Sequence, residues 1–496
     1  MPILGTEIQE QENHVGASPV LIRTKDDVVR VINESSDAPH SRIIGFIALG
    51  GFFLDAYDFT SLSAGSVQMK AEFGLSASQL GLVTAVMAFG AIIGALCGGY
   101  FVDRFGRLRM FIVNLLLFVC ATLGAAFAPN YQTLIALRLL IGIGVGLDVP
   151  VAMAFLVEFM AMKKKAKWVE SAAALWSAAT ICGLLVALLL DALGAGNNLW
   201  RWEVGLGAVP AVVILLLRFK YMAESPMWAA TKGDLAEAVR ILSRTYARPF
   251  ELAADAVAVS HHVEQTGPFR PFGQLFTGEF RKRTILISVI SAAQSIQFSS
   301  VGFYLPLIVF SFFHSSFSVS VLASVFANAC GLCAALLAAN VANKLGLRRL
   351  TIIGFSGVAS VLVVLGLVGQ VIPPVLGVVL LAFFIGAHTF GPGSTAQSMS
   401  ALSYPTRIRG VGAGLSQASN RTGSLVALYG VPVLLAAFGL YHALLILLIA
   451  PVIGLVVLAV IKWEPVGNVS EDEPESVFGS AATAVAPAAT TPTRPL

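Results

Sequence analysis

Two aspartates three residues apart, Asp55 and Asp58, stand in GFFLDAYDFT (51–60), inside an apolar run from Ile43 to Val67. An ionised carboxylate at the centre of a bilayer costs about 2.5–3.5 kcal/mol even on lenient insertion scales, so such residues mark ion pathways and proton relays. Two more charges lie ten residues apart in RLLIGIGVGLDVPVAMAFLVE (138–158), namely Arg138 and Asp148. A further one, Arg421 in SNRTG (419–423), lies ten residues into an apolar run that begins at Val411. Carboxylates in apolar, intermittently hydrated surroundings gain affinity for a proton, and a nearby arginine removes it again, so this set could carry protons. A guanidinium also presents a planar fork suited to carboxylate or phosphate. Arg421 is therefore read either as an anion site or as a salt bridge to an aspartate across a cavity. If the two alternate, a bound substrate releases the aspartate to titrate. Asp55, one helical turn before Asp58, either shares its proton or shapes the outer half of the cavity. Asp148 is expected to act as proton carrier or substrate acceptor.

These residues need a membrane scaffold to hold them. The 496-residue chain is 56% hydrophobic and 12% charged, against about 25% charged residues in soluble domains, and its mean hydropathy is +0.81. That predicts a multi-pass membrane protein, and the modest net charge of +4 gives no sign of nucleic-acid binding. A helical span takes about 20 apolar residues. Such runs lie near 43–67, 79–102, 109–128, 132–158, 171–193, 203–222, 284–312, 318–342, 350–370, 373–398, 411–436 and 439–461. The expected fold class is thus all-α membrane protein with twelve transmembrane helices. Residues 1–40 form an N-terminal segment, 41–222 the first six-helix half, 223–283 a central loop, 284–462 the second half, and 463–496 a disordered tail. Leu235, Val239, Leu242 and Tyr246 share one helical face in the central loop, predicting a surface helix under the membrane domain. Lys and Arg collect in alternate loops (Arg104, Arg107, Arg109; Lys163 to Lys167; Lys344, Arg348, Arg349; Arg407, Arg409), which places both termini in the cytoplasm of an inner-membrane protein. The first 40 residues hold no apolar signal core, in keeping with that orientation. All five cysteines fall in apolar runs, so neither disulfides nor a zinc site is expected, and the CxxC at Cys330 and Cys333 is read as helix packing.

The halves resemble each other at an offset of 240 residues, DRFGRLR (103–109) following the second run and NKLGLRR (343–349) the eighth. GYFVDRFGRLR (99–109) matches the loop pattern of the major facilitator superfamily, which the chain resembles over about 43–462. The resemblance implies a two-half transporter of the major facilitator fold, with its site between the halves near the midplane. Asp103, Arg104, Gly106 and Arg107 would then form a gating latch, with Glu158 part of the same inner gate, and Asn343 in place of the second Asp predicts a weaker latch there. The fourth run, with Arg138, Asp148, Pro150 and Glu158, and the GFFLDAYD stretch are similar to proton-coupled phosphate symporters. ESPMW (224–228) and QSIQFSSVGFYLP (294–306) are similar to sugar porters, and YPTRIRG (404–410) with SNRTG to organic-acid and phosphate symporters. By that resemblance the first-helix aspartate faces Arg138, and making and breaking the pair couples the proton. It also puts Trp176, Gln294, Gln297, Ser300, Phe303, Tyr304 and Asn328 on cavity-lining helices. Positions that bind phosphate in those symporters are Ile296, Ser300, Val149 and Gly393 here, so most of that site is missing. Against sugar porters, the tenth-helix Trp is missing and Leu402 stands where a Glu is expected. His388 could titrate near neutral pH, although a lone helix histidine is more often a hydrogen-bonded contact.

These observations predict a secondary active transporter, not an enzyme, with no cofactor or metal, acting as a monomer. It would take up a small polar metabolite with protons by alternating access. An organic acid is favoured by Arg421 and YPTRIRG, and a sugar or polyol by ESPMW and Gln294. Phosphate follows. Drug efflux is less favoured, because ATICGLLVALL (179–189) lacks the fifth-helix proline of efflux members. No phosphate-binding GxxxxGK[ST] loop occurs, which excludes the common ATP-driven pump.

Overall fold

The computed structural model describes residues 19–34, 41–159, 162–246, 248–254, 256, 270–278, 280–313, 316–404 and 406–465. Backbone groups crossing hydrocarbon must bond within their own segment, which leaves the apolar runs one solution, the helix. The first five spans are Ser41–Ala64, Ala77–Phe105, Arg107–Ala126, Tyr131–Phe159 and Met162–Ala192. The sixth is split into Leu199–Leu206 and Ala208–Tyr221. In the second half the seventh is Phe280–Val301 followed by Leu305–Phe313, the eighth Phe317–Leu345, the ninth Leu347–Val368, and the tenth Pro374–Phe390 with Pro392–Leu402. One continuous helical stretch, Thr406–Leu447, is broken at Gly439 (φ 69°, ψ 174°) and followed by Ile449–Val460, so the last two runs are two spans and the total is twelve. The tenth helix breaks where Pro392 offers no N–H.

Glycine sets how closely the helices approach. A methyl group on Gly142 or Gly146 of the fourth helix would lie 2.1 Å from the Met87 carbonyl or 2.2 Å from that of Ala91 in the second, and Gly90 and Gly94 face back in the same way. Gly144 instead faces the third helix. These small residues substitute for the hydrophobic drive that lipid does not provide.

The repeat shows in the contacts. At the end carrying the basic loops, the Glu224 carboxylate accepts from the N–H groups of Arg107 (2.8 Å) and Leu108 (3.2 Å) beneath Gly106, whose φ is 103°. In the second half Glu464 accepts from Leu347 (3.1 Å) and Arg348 (2.9 Å) beneath Gly346, whose φ is 82°. Arg107–Glu224 and Leu347–Glu464 are both 117 residues apart. Each carboxylate caps the N-terminus of a helix, where the orphan N–H groups and the dipole favour an anion. In the loop 103–109, expected to form a latch, the contacts described are those of Glu224 and of Arg104 over the Phe105 ring, while the side chains of Asp103, Glu158 and Asn343 lie outside the described residues. Glu464 also corrects the domain boundary: Trp463, whose indole donates to Ser403 (2.8 Å), and Glu464 are docked, although 463–496 was expected to be disordered. The rest of that segment, 466–496, lies outside the described residues.

At the opposite end the halves meet. Ser63 donates to the carbonyl of Phe303, 240 residues away, so positions equivalent by the repeat touch across the pseudo-twofold axis. The hydroxyls of Tyr304 and Thr84 lie 3.0 Å apart and 2.9 and 3.1 Å from the Leu428 carbonyl, so the two O–H groups share these contacts. Gly81 lies against the Tyr429 backbone, and Ser318 donates to Asp191 (2.8 Å).

The amphipathic central helix forms as expected (Leu235–Tyr246), but its partner differs from the expected membrane domain. Strand Val20–Ile22 pairs in parallel with Phe250–Leu252, and Ile22, Val28 and Ile32 pack on Leu235, Val239, Leu242 and Tyr246. The N-terminal segment is thereby clasped to the loop joining the halves. Val28 is fully buried there, and Val28→Asp would place an unpaired carboxylate in that core. The expected outcome is faster limited proteolysis of the central loop with the membrane helices still resistant, and unchanged cleavage would contradict the clasp.

Candidate transport site

Between the halves lies a cavity of about 790 Å³. Its lining runs from Ser63, Phe303 and Pro306 near the sealed end to Ala342, Leu347 and Leu402 near the basic end. It is therefore closed at one end and lined as far as the other. Hydroxyl and amide side chains, including Gln294, Asn328, Asn420, Gln397 and Gln417, are interspersed with a larger number of apolar ones in the lining. Rings gather at its closed end, where Phe59 lies 6.1 Å from Trp176 and 5.7 Å edge-on from Phe303. Among the described lining residues Arg421 is the one Lys or Arg, and there is no Asp or Glu.

The first helix distributes its carboxylates to different partners. Asp58 receives both contacts from one nitrogen of Arg138, at 2.7 and 2.8 Å, while the other terminal nitrogen lies 3.2 Å from Met87 sulfur. Both groups are buried within the first half, away from the cavity lining. The pairing that the resemblance implies is thus present, held between the first and fourth helices. Asp55 points the other way, to Arg421 across the interface between the halves (2.5 Å). That bridge is single-pointed. Among the described residues Asp55 Oδ1 has no hydrogen-bond partner and Arg421 donates only through one terminal nitrogen, leaving part of its fork facing the cavity. Of the two roles foreseen for Arg421, the cross-cavity bridge is the one realised in this conformation.

Asp148 is not open to the cavity. It accepts from Asn114 (2.7 Å) and Arg218 (3.0 Å), and Arg218 lies over the Phe111 ring at 3.4 Å while donating to the Phe111 carbonyl. Asp148, expected to act as proton carrier or substrate acceptor, is held in this network away from the cavity lining. Gly51 makes it possible: a methyl group there would sit 1.5 Å from Asp148 Oδ2. Sequence reasoning passes over Arg218 because it lies three residues from the end of its helix, where arginines ordinarily reach back to the interface. The signal was Asp148 itself, since a buried carboxylate calls for a cation.

Trp176, Gln294 and Asn328 line the cavity as expected. Gln297, Ser300 and Tyr304 do not. Gln297 is buried against His388 Nδ1 (3.0 Å), whose ring stacks on Phe298 at 4.7 Å and itself lines the cavity. Ser300 is fully buried with no partner for its hydroxyl among the described residues, and Tyr304 belongs to the seal. Gln294, Ser295, Phe298 and Ser299 share the cavity face of the helix Phe280–Val301, Gln297 and Ser300 fall on its other face, and Tyr304 lies beyond the break after Val301.

The sequence profile of the family described as "Sugar (and other) transporter" matches residues 43–464. The chain belongs to that family. It is a major facilitator superfamily transporter. Among its relatives, the inner membrane metabolite transport protein YgcS of Escherichia coli is 28% identical over 419 residues, covering 84% of this chain and 90% of YgcS. The niacin transporter NiaP of Acinetobacter baylyi is 24% identical over 443 residues, 88% of this chain and 97% of NiaP. Among solved structures, the inward-open xylose transporter XylE of E. coli superposes with a TM-score of 0.70 at 20% identity, over 86% of this chain and 98% of XylE, a likeness of fold.

Removing one member of a buried pair leaves the other charge stranded, at about 3–5 kcal/mol. Arg218→Leu is expected to lower the unfolding midpoint of the detergent-purified protein sharply, and Asp148→Asn in the same chain to restore most of it. Equal stability of Arg218→Leu and the unmodified chain would contradict the pairing.

Proposed function

We propose that the protein is a proton-coupled symporter that takes up a small organic anion by alternating access, with the basic end in the cytoplasm of a plasma (inner) membrane. The observation that carries this reading is Arg421: a cation in a cavity otherwise lined by neutral groups, tied by one contact to an aspartate of the other half. A substrate carboxylate entering the cavity competes with Asp55 for the guanidinium. Once displaced, Asp55 lies buried in an apolar surround without its counter-charge and takes a proton. Anion and proton then travel together. Rocking of the halves as rigid bodies preserves Asp58–Arg138, whose partners share one half, and breaks Asp55–Arg421, whose partners do not. Asp55 is accordingly the group that senses substrate and takes the proton, while Asp58, one turn away, stays held to Arg138 within the first half. Trp176, Phe59 and Phe303 offer faces to the apolar part of the solute, and Gln294 and Asn328 bind its polar substituents.

A sugar or polyol is the second reading, favoured by the hydroxyl- and amide-rich lining and by Gln294. Competition in proteoliposomes with nicotinate, other monocarboxylates and D-xylose under an imposed pH gradient separates the two. Carboxylates are expected to compete and uptake to follow the gradient. Competition by D-xylose alone would transfer the proposal to the second reading, and uptake indifferent to the gradient would remove proton coupling. Arg421→Lys keeps the charge and loses the fork, so the apparent affinity for the carboxylate is expected to weaken about 10- to 100-fold. Asp55→Asn is expected to abolish gradient-driven accumulation while counterflow at uniform pH continues. Retained accumulation in Asp55→Asn would contradict its role.

A further inference from the structure

We propose that Glu203 is a conformation-gated proton site in the first half, holding a proton while the end opposite the basic loops is sealed and releasing it when that end opens. Glu203 sits in the first segment of the sixth span, Leu199–Leu206, near the sealed end, and is fully buried. Neither carboxylate oxygen has a hydrogen-bond partner among the described residues, and no cation pairs with it. The neighbouring base is committed elsewhere: Arg201 donates to Glu72 (2.6 and 3.1 Å) and to the carbonyls of Ala126 and Ala128 (both 2.9 Å). From the first helix Tyr57 faces Glu203, its hydroxyl donating to the Glu203 backbone carbonyl at 3.2 Å, with Asp58 the next residue along. From the fifth helix Cys182 approaches Tyr57, and the third helix presents Ala126.

An ionised carboxylate in such a place would be uncompensated, and groups of this kind neutralise instead. A glutamine or leucine would fill the same space without needing a proton. A carboxyl group there acquires a use if another conformation reaches it with water. Tyr57, which covers it, belongs to the same helix as Ser63, where that helix meets Phe303 in the seal. Opening the seal moves the far end of the first helix against the second half, which hydrates the region around Tyr57 and Glu203. The inference goes beyond the Arg421–Asp55 exchange, because Glu203 lies outside the cavity lining and is gated by the seal rather than by substrate.

The test needs no substrate and is independent of whether the solute is an anion. Infrared spectra of the full-length protein in lipid, in water and heavy water, are recorded for the unmodified chain and Glu203→Gln, which is isosteric with the protonated acid. A protonated-carboxyl stretch is expected in the unmodified chain at neutral pH and is absent from Glu203→Gln. The same band is then followed in two variants that wedge the seal open at independent places, Ser63→Trp at the Phe303 contact and Gly81→Leu against the Tyr429 backbone. In whichever of these folds, the band should disappear at neutral pH and return on acidification. Absence of the Glu203-assigned band from the unmodified chain, or its unchanged presence in the wedged variants, would overturn the proposal.

Discussion

A buried ionisable group must find a partner inside hydrocarbon or give up its charge, and the first helix is where those demands meet. Asp58 turns to Arg138, Asp55 to Arg421, and Gly51 clears the space in which Asp148 reaches Arg218. Isolated, each carboxylate would cost about 2.5–3.5 kcal/mol at the bilayer centre. Paired, they fix the rotation of the first helix about its axis and leave Ala56, Phe59, Thr60 and Ser63 facing the cavity. The lining is in that sense a consequence of where the aspartates had to go.

The three pairs differ in what they join. Asp58–Arg138 and Asp148–Arg218 lie within one half and make it a rigid body, reinforced by the glycine contacts between the second and fourth helices. Asp55–Arg421 joins the halves, as do the seal contacts of Ser63, Thr84 and Tyr304. Interactions between bodies change in a rocking motion, and interactions within them persist. In the proposed mechanism this division separates stability from coupling, assigning the substrate-sensitive step to the single-pointed bridge.

Much of this was legible in the sequence because it depends on composition and period. The twelve runs, the basic loops and the 240-residue repeat need only residue type and spacing, and Arg421 was already restricted to anion binding or a bridge to an aspartate. What escaped depends on rotation and on long-range register. Gln297 and Ser300 fall on the face of the seventh helix away from Gln294, Ser295, Phe298 and Ser299, a rotation that shows only once the cavity face is placed, and Tyr304 lies beyond the break after Val301. Arg218 resembles any arginine near a helix end until Asp148 is placed beside it. Glu464 and the strand Val20–Ile22 act on segments more than a hundred residues away, so neither is visible in a local window.

The central claim is that substrate and Asp55 compete for one guanidinium, so that binding of an anion is accompanied by proton uptake. Calorimetric titration of the purified protein with its transported carboxylate, in buffers of differing ionisation enthalpy at one pH, counts that proton directly. The account predicts that about one proton is taken up per anion bound, and that none is taken up by Asp55→Asn. Binding with no proton uptake by the unmodified protein would contradict it.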